Sequence, residues 1–279
     1  MTDFLEQVAR ERRAYVAAAR AVRPLDEVER AARTMSLGRG LLRLSTVVRE
    51  LRRSGRLAVI AEVKRVSPAL GPLAEIADAG RLARTYIQAG ACAVSVLVEP
   101  HHWGGSLADL RTVRSVERGI GYTGAILAKD VVVDAYQIAE VGAAGADVVL
   151  LVTELFSTEE LRRLRLYAES LGMDALVEAH DPAAFARAVA CGASLLGVNA
   201  RDLREPSRID RGRIHQLASQ VPEDGLLVAE SGITSVEDAE ALPARVDAVL
   251  VGTALVREPD PGPLVHALAT VVPGSRALA

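Results

Sequence analysis

The sequence predicts an α/β chain folded as a (β/α)8 TIM barrel with an N-terminal helical extension. Three observations carry that expectation. Short apolar runs recur at 57–61, 92–98, 125–128, 148–152, 175–177, 195–198, 226–229 and 248–251. Each is followed by a helix-sized segment, which is the pattern of parallel βα units. Eight such units within 279 residues are what a closed barrel needs. An open doubly wound sheet is the alternative, but it more often carries a phosphate-binding glycine loop after its first strand. The expected organisation is one domain, 1–279, with 1–55 as the extension and 56–279 as the barrel.

Taken in order, residues 2–21 read as an amphipathic helix with Phe4, Leu5, Val8, Tyr15, Val16 and Ala19 on one side. Pro24 stops it, and a linker through Gly38 and Gly40 leads to a second helix, about Leu44 to Arg53, ended by Gly55. These elements are expected to form a lid or plug over one end of the barrel. Within the repeats, Ser157 with Glu160 and Thr234 with Glu237 read as capping boxes, and Asp181-Pro182 as an N-cap followed by N1. Gly119-Ile120-Gly121-Tyr122-Thr123-Gly124 matches a dinucleotide fingerprint but precedes a strand. The fingerprint must open a helix, because the pyrophosphate sits on the helix N-terminus. It is therefore read as the turn into the third strand.

Half the residues are apolar, enough for a large core, and a formal charge of -3 gives no electrostatic case for nucleic acid. The arginine runs at 10–13 and 49–53 are interleaved with acids at helical spacing, as on solvated helix faces. Cys92 and Cys191 lack a CxxC or a histidine partner and read as buried small hydrophobes in a reducing compartment. No signal sequence or bilayer-length apolar run is present, so a cytoplasmic location is expected. His101 and His102 are adjacent and point apart, His180 is placed on a helix rim, and no metal-ligand spacing occurs. No metal is expected.

In such a barrel, functional groups come from the C-terminal ends of several strands. Those ends supply Glu62 and Lys64, Lys129-Asp130, Glu178, Asn199 and Arg201, Glu230-Ser231-Gly232, and Gly252-Thr253. Glu62 and Lys64 are two apart, so they share one face of a strand. Any one of these is ordinary loop polarity or a structural ion pair; six strands converging is not. Ser231-Gly232 and Gly252-Thr253 lie where this fold often holds a phosphate, since glycine lets the backbone approach its oxygens. A buried lysine, its pKa lowered towards working pH, can serve as a general acid, with Schiff-base chemistry as the competitor.

Taken together, these motifs resemble the indole-3-glycerol-phosphate synthase family. The matching segments are Ala61-Glu62-Val63-Lys64-Arg65 with Ser67-Pro68, Ser95-Val96-Leu97, Ala128-Lys129-Asp130, Leu176-Val177-Glu178, Gly197 to Leu203, and Ala229-Glu230-Ser231-Gly232-Ile233. The resemblance implies ring closure of carboxyphenylamino-deoxyribulose 5-phosphate to indole-3-glycerol phosphate with loss of carbon dioxide and water, and no cofactor. It implies Lys129 as general acid, Glu178 as stabiliser of the cationic intermediate or proton carrier, and Lys64 holding the substrate carboxylate and serving in dehydration. Glu62 is a candidate base, and Asn199 and Ser231 are hydrogen-bonding groups. Ser67, Arg201, Trp103, Val131, Leu150 and Glu230 are expected to bind substrate, and Ser231, Gly232, Gly252 and Thr253 to cradle its phosphate. The expected partner is a small phosphorylated molecule, with no nucleic acid or membrane, for a monomer or weak homodimer.

Four segments depart from the family's pattern. Lys129-Asp130-Val131 replaces Lys-Asp-Phe, and Trp103 stands where phenylalanine is usual. Ser67-Pro68-Ala69-Leu70-Gly71 replaces Ser-Pro-Ser-Lys-Gly, and Gly252-Thr253 replaces Gly-Ser. Either these are neutral repacking, or bulk has moved from Val131 to Trp103 to fit a ring-substituted anthranilate. Two further readings compete. One is a phosphoribosylanthranilate isomerase, which needs a Cys/Asp pair that no strand end supplies. The other is a non-catalytic phosphosugar-binding barrel, which has no need of buried lysines facing glutamates.

Overall fold

Eight strands close into one ring in the computed structural model, which describes residues 3–37, 43–121 and 124–274. They are β1 (Ala58–Val63), β2 (Ala93–Leu97), β3 (Ala125–Lys129), β4 (Val148–Val152), β5 (Asp174–Ala179), β6 (Leu195–Asn199), β7 (Leu226–Glu230) and β8 (Ala248–Val251). Every neighbouring pair is parallel, and β1 closes on β8 with Ala58 to Ala61 opposite Ala248 to Val251. Side chains alternate across each strand, which divides the core in two. Ile60, Leu127, Leu150, Leu176, Val228 and Leu250 pack together inside the ring. Their neighbours Val59, Ile126, Leu151, Val177, Leu227 and Val249 belong to the shell between ring and helices. An inward residue at the last position of a strand therefore faces the mouth of the barrel.

Twelve α-helices are described. The extension holds α1 (Phe4–Val22), α2 (Leu25–Leu37) and α3 (Leu44–Arg53). The barrel adds α4 (Ala79–Gln88), α5 (Leu107–Ile120), α6 (Ala135–Ala144), α7 (Thr158–Ser170) and α8 (Pro182–Ala190). Then follow α9 (Gly212–Ala218), α10 (Val236–Glu240), α11 (Thr253–Arg257) and α12 (Gly262–Ala269).

The extension departs from expectation in two ways. First, residues 25–37, read as linker, form α2. The Pro24 carbonyl accepts from the Glu27 and Val28 N–H groups, so Pro24 begins a helix as well as ending one. Val28 and Ala32 are buried, and the Ala32 methyl packs close to Gly142 of α6. The Gly38–Gly40 stretch lies outside the described residues. Second, the extension covers both ends of the barrel. Leu44 and Val48 of α3 fill the floor beneath Ala58, Ala125 and Leu195, and the Ser45 N–H donates to Asp174 at the start of β5. By contrast, α1 crosses the mouth, where Arg12 pairs with buried Asp130 at 2.5 Å and Phe4 packs on Trp103.

The Ser157–Glu160 capping box forms, and Asp181 caps α8 with Pro182 at its first position. The other cap is shifted by one residue. Ser235 caps α10 by accepting from the Asp238 N–H, the Asp238 carboxylate accepts from the Thr234 N–H and hydroxyl, and Glu237 bonds the Ser235 side chain rather than Thr234. Gly119 lies in the last turn of α5, which ends at Ile120, and Gly121, at φ 66°, turns the chain towards β3; Tyr122 and Thr123 of that motif lie outside the described residues.

Candidate active site at the barrel mouth

Lys129 ends β3 and points inward, two residues beyond Leu127. Its Nζ donates to Glu178 at 2.9 Å and to Glu230 at 2.8 Å, from the ends of β5 and β7. Both carboxylates are buried. Burial works to lower the lysine's pKa, but Glu178, Glu230 and Glu62 outweigh it and the net shift is upward. The expectation of a lysine lowered towards working pH is therefore corrected: two counter-charges at contact distance overcome desolvation.

The two carboxylates cannot both be freely ionised around one ammonium. Burial and the like charge of Glu178 push Glu230 up to about 8, against the pull of Lys129. Burial also works to raise Glu178, but Lys129 and His180 outweigh it and hold that carboxyl well below its usual range. Glu178 is thus the charged member, and Glu230 takes the shared proton near neutrality. Glu230, expected among the substrate-binding groups, stands in the centre of the charge cluster beside Lys129.

Glu62 and Lys64 pair at 2.8 Å, with the carboxylate buried and Glu62 Oε1 without a hydrogen-bond partner. Two glycines make room for these acids. A Cβ on Gly252 would lie 2.3 Å from Glu62 Oε2, and one on Gly197 would lie 2.5 Å from Glu230 Oε1. Close approach, as well as any phosphate, accounts for Gly252. The Asn199 amide donates to Glu178 at 3.2 Å while its Oδ1 accepts from the Arg201 N–H at 2.9 Å. Arg201 reaches across its loop to the Pro206 carbonyl and lines the cavity.

The same cavity gathers the remaining expected residues. Ser67, Trp103, Val131 and Leu150 line it, as do Ser231, Gly232, Gly252 and Thr253. Ser231 is the one non-glycine among the described residues at positive φ, 65°, and Gly232 follows at 78°. A serine held there costs on the order of 1–3 kcal/mol, a strain that clusters at functional sites. Arg211 and Arg257, which the sequence reading did not single out, line the cavity alongside these loops. Trp103 is positioned by buried Glu99, whose carboxylate accepts the N–H groups of His101, His102 and Trp103. His102 turns away to Glu11 at 2.7 Å.

His180 does not lie on a helix rim. It is buried behind Glu178, with Nε2 3.0 Å from Glu178 Oε1 and Nδ1 3.1 Å from Glu154. A signal was present: residues 178 and 180 share a face by the same spacing as 62 and 64.

An ammonium clamped between two buried carboxylates faces a glycine-rich, arginine-bearing rim, an arrangement that marks a (β/α)8-barrel enzyme and can move protons on an anionic small molecule. The family model described as indole-3-glycerol phosphate synthase matches residues 5–268. A relative of that name from a Nocardioides species is 49% identical over 210 residues, 75% of this chain and 78% of its own. One from Carboxydothermus hydrogenoformans is 40% identical over 268 residues, 95% of this chain and 99% of its own. The chain belongs to the indole-3-glycerol phosphate synthase family. Among solved structures, a ligand-free tryptophan synthase from M. tuberculosis superposes with a TM-score of 0.60 at 15% identity, covering 82% of this chain and 98% of its own. A 3-hexulose-6-phosphate synthase from Salmonella typhimurium gives 0.59 at 16% identity, covering 76% and 97%. These two show the barrel fold alone. No described helix is long and apolar enough to cross a membrane.

Proposed function

We propose that the chain is an indole-3-glycerol-phosphate synthase whose proton chemistry runs through Lys129. The observation that carries this reading is the Lys129 ammonium held at 2.8–2.9 Å from both Glu178 and Glu230 at the floor of the cavity. The aryl carbon bearing the carboxylate attacks the ribulose carbonyl carbon, and the carbonyl oxygen takes a proton from Lys129 Nζ to become a hydroxyl. The carboxyl group leaves as carbon dioxide, and its bonding pair neutralises the cation left on the arylamine. Dehydration then removes a C–H proton to a base and expels the hydroxyl as water with a proton from an acid.

Attack by an aromatic carbon needs acid assistance and close positioning, and an anchored phosphate supplies the second. Lys129 stays charged until oxygen basicity rises in the transition state. Glu178, ionised, faces the developing cation and can carry a proton. Lys64 is the donor for dehydration and the partner of the substrate carboxylate, with Glu62 as candidate base. Asn199 orients Glu178, and Arg201 shapes the mouth. Ser231, Gly232, Gly252 and Thr253 form the phosphate cradle, with Arg211 and Arg257 adding positive charge. Trp103, Val131 and Leu150 receive the aryl ring beside Ser67. A cytoplasmic monomer or weak homodimer fits a site built within one chain.

The second reading, a ring-substituted anthranilate as substrate, is favoured by Trp103 and Val131 lining one cavity. The first test is indole-3-glycerol phosphate formation, followed by indole fluorescence, in the wild type and Lys129→Met. Formation that falls by a factor of about 100 or more in the variant is expected, the usual scale of a general acid. Product at wild-type rate in Lys129→Met would remove Lys129 from the mechanism.

A further inference from the structure

His180 does not line the cavity, yet it is almost fully buried against a residue that does. It follows β5 directly, and period two puts its ring on the same face as Glu178. Glu178 Oε2 accepts from Lys129, while Oε1 accepts from the Asn199 amide and lies 3.0 Å from His180 Nε2. On the far side, the Glu154 carboxylate is 3.1 Å from His180 Nδ1 and also accepts the His180 N–H at 2.8 Å. Glu154 is supplied by the short 3-10 turn after β4, so two consecutive barrel units meet at this ring.

We propose that His180, backed by Glu154, is a positioning residue that fixes Glu178 and keeps it charged while the proton leaves Lys129. The inference rests on the reading of Lys129 as the acid. The row runs Glu154, His180, Glu178, Lys129, alternating in sign when the histidine is protonated. Burial works against that protonation, but Glu154 and Glu178 outweigh it and raise the imidazole to about 10. Nε2 makes no aligned hydrogen bond, so the link to Glu178 acts through charge and contact more than through a directional bond. Once Lys129 gives up its proton it becomes a neutral amine, and Glu178 loses its largest stabilising charge. The imidazolium is then the remaining cation in contact with it. Without it, Glu178 and Glu230 would compete for one proton, and Glu178 would face the substrate cation uncharged.

The other groups facing this row are few. Glu230 and Lys129 face Glu178 from β7 and β3, and Glu62 acts on Lys129 from β1. Asp202, in the loop after β6, interacts with His180 through its charge. Arg204 binds Asp202 and lies 3.5 Å from Asp181, which caps α8.

The tests are the pH profile of kcat in the wild type, His180→Gln and Glu154→Gln, and the imidazole nitrogen shifts of the uniformly 15N-labelled wild type. His180→Gln is expected to lower kcat by roughly 10- to 100-fold with KM within about twofold. Loss of the cation beside Glu178 moves the acidic limb of the profile to higher pH. Glu154→Gln shifts the same limb in the same direction by less. A purely structural role would lower melting temperature and active fraction and leave the limb in place, and that outcome overturns the proposal. Among the five histidines, one is expected to remain imidazolium at pH 8 in the wild type and to vanish from the spectrum in His180→Gln. A neutral His180 at pH 7 overturns the proposal even if the variants do not fold. Absence of indole-3-glycerol phosphate from the wild type would instead count against the functional reading, and the nitrogen shifts remain readable in that case.

Discussion

Lys129 illustrates how neighbours at hydrogen-bond distance reverse what burial alone dictates. Its position at a strand end was readable from period and apolar run, but its charge state was not, because that depends on residues 49 and 101 positions away. The aryl end of the cavity poses a question of volume rather than charge. Trp103 is braced by Phe4, with ring centroids 5.8 Å apart, while Val131 is buried opposite the same space. If that pairing admits a substituent on the anthranilate ring, Val131→Phe will refill the space. The ratio of kcat/KM for ring-substituted over plain substrate is then expected to fall about tenfold or more, the scale of one or two methylenes in a pocket. An unchanged ratio would leave Val131 and Trp103 as neutral repacking. The residue-level failure of the sequence reading, His180, had a different cause: it stands next to Asp181-Pro182, whose capping signal drew it to a helix rim. The alternation that placed Glu62 beside Lys64 would have placed it correctly.

Helices α1, α2 and α3 were legible in proportion to how much of their signal is local. Leu5, Val8 and Val16 repeat at helical spacing and mark α1, whereas α2 buries only Val28 and Ala32 and starts at a proline that equally well ends the preceding helix. Which end of the barrel each helix covers is a tertiary matter. For α1 the decisive contact is Arg12 with Asp130, a buried pair that joins the helix to the residue after Lys129. Asp130 also accepts from the Val131 N–H at 2.8 Å and the Gln137 amide at 3.2 Å, so the loop that carries it is organised around this carboxylate. Tyr15 with Glu140 and Arg20 with Asp134 extend the seam along α6. Arg12→Ala would leave a buried carboxylate without its counter-charge, at a cost of about 3 kcal/mol. Chemical denaturation should show that loss, together with a raised KM as Phe4 loosens beneath Trp103. Arg12→Ala combined with Asp130→Asn should recover part of the stability, since no unpaired charge then remains buried. A double variant no more stable than Arg12→Ala would show that the seam depends on packing more than on the ion pair.

At the scale of the molecule, the eight apolar runs were sufficient for the barrel because each strand is buried on both faces. The charge cluster at its mouth is a separate matter, and it makes folding sensitive to alkali. Glu230 has its folded pKa raised from 4.5 to about 8, and His180 from 6.5 to about 10. In both cases the folded chain holds a proton that the unfolded chain has released. The stability each contributes is therefore complete below its unfolded pKa and disappears as pH rises through its folded value. The windows overlap between about pH 6.5 and 8, where two protons separate the states, and His180 remains alone from 8 to about 9, above which the buried Cys92 and Cys191 thiols, raised from 9.0, add to it. Lys129, also raised, adds its share only above about pH 10.5. One proton corresponds to about 1.4 kcal/mol per pH unit, so the free energy of unfolding should fall by about 2.8 per unit in the lower window and about 1.4 between pH 8 and 9. Glu178 acts in the opposite direction and at the other end, since its lowered pKa gives stability that is lost as pH drops below about 4.5. Guanidinium unfolding from pH 6.5 to 10 at constant ionic strength measures the profile directly. His180→Gln should flatten the segment between pH 8 and 9 and keep a slope below 8, where Glu230 still titrates. A wild-type profile with no slope from pH 8 to 9 would mean that the histidine is not charged in the folded barrel.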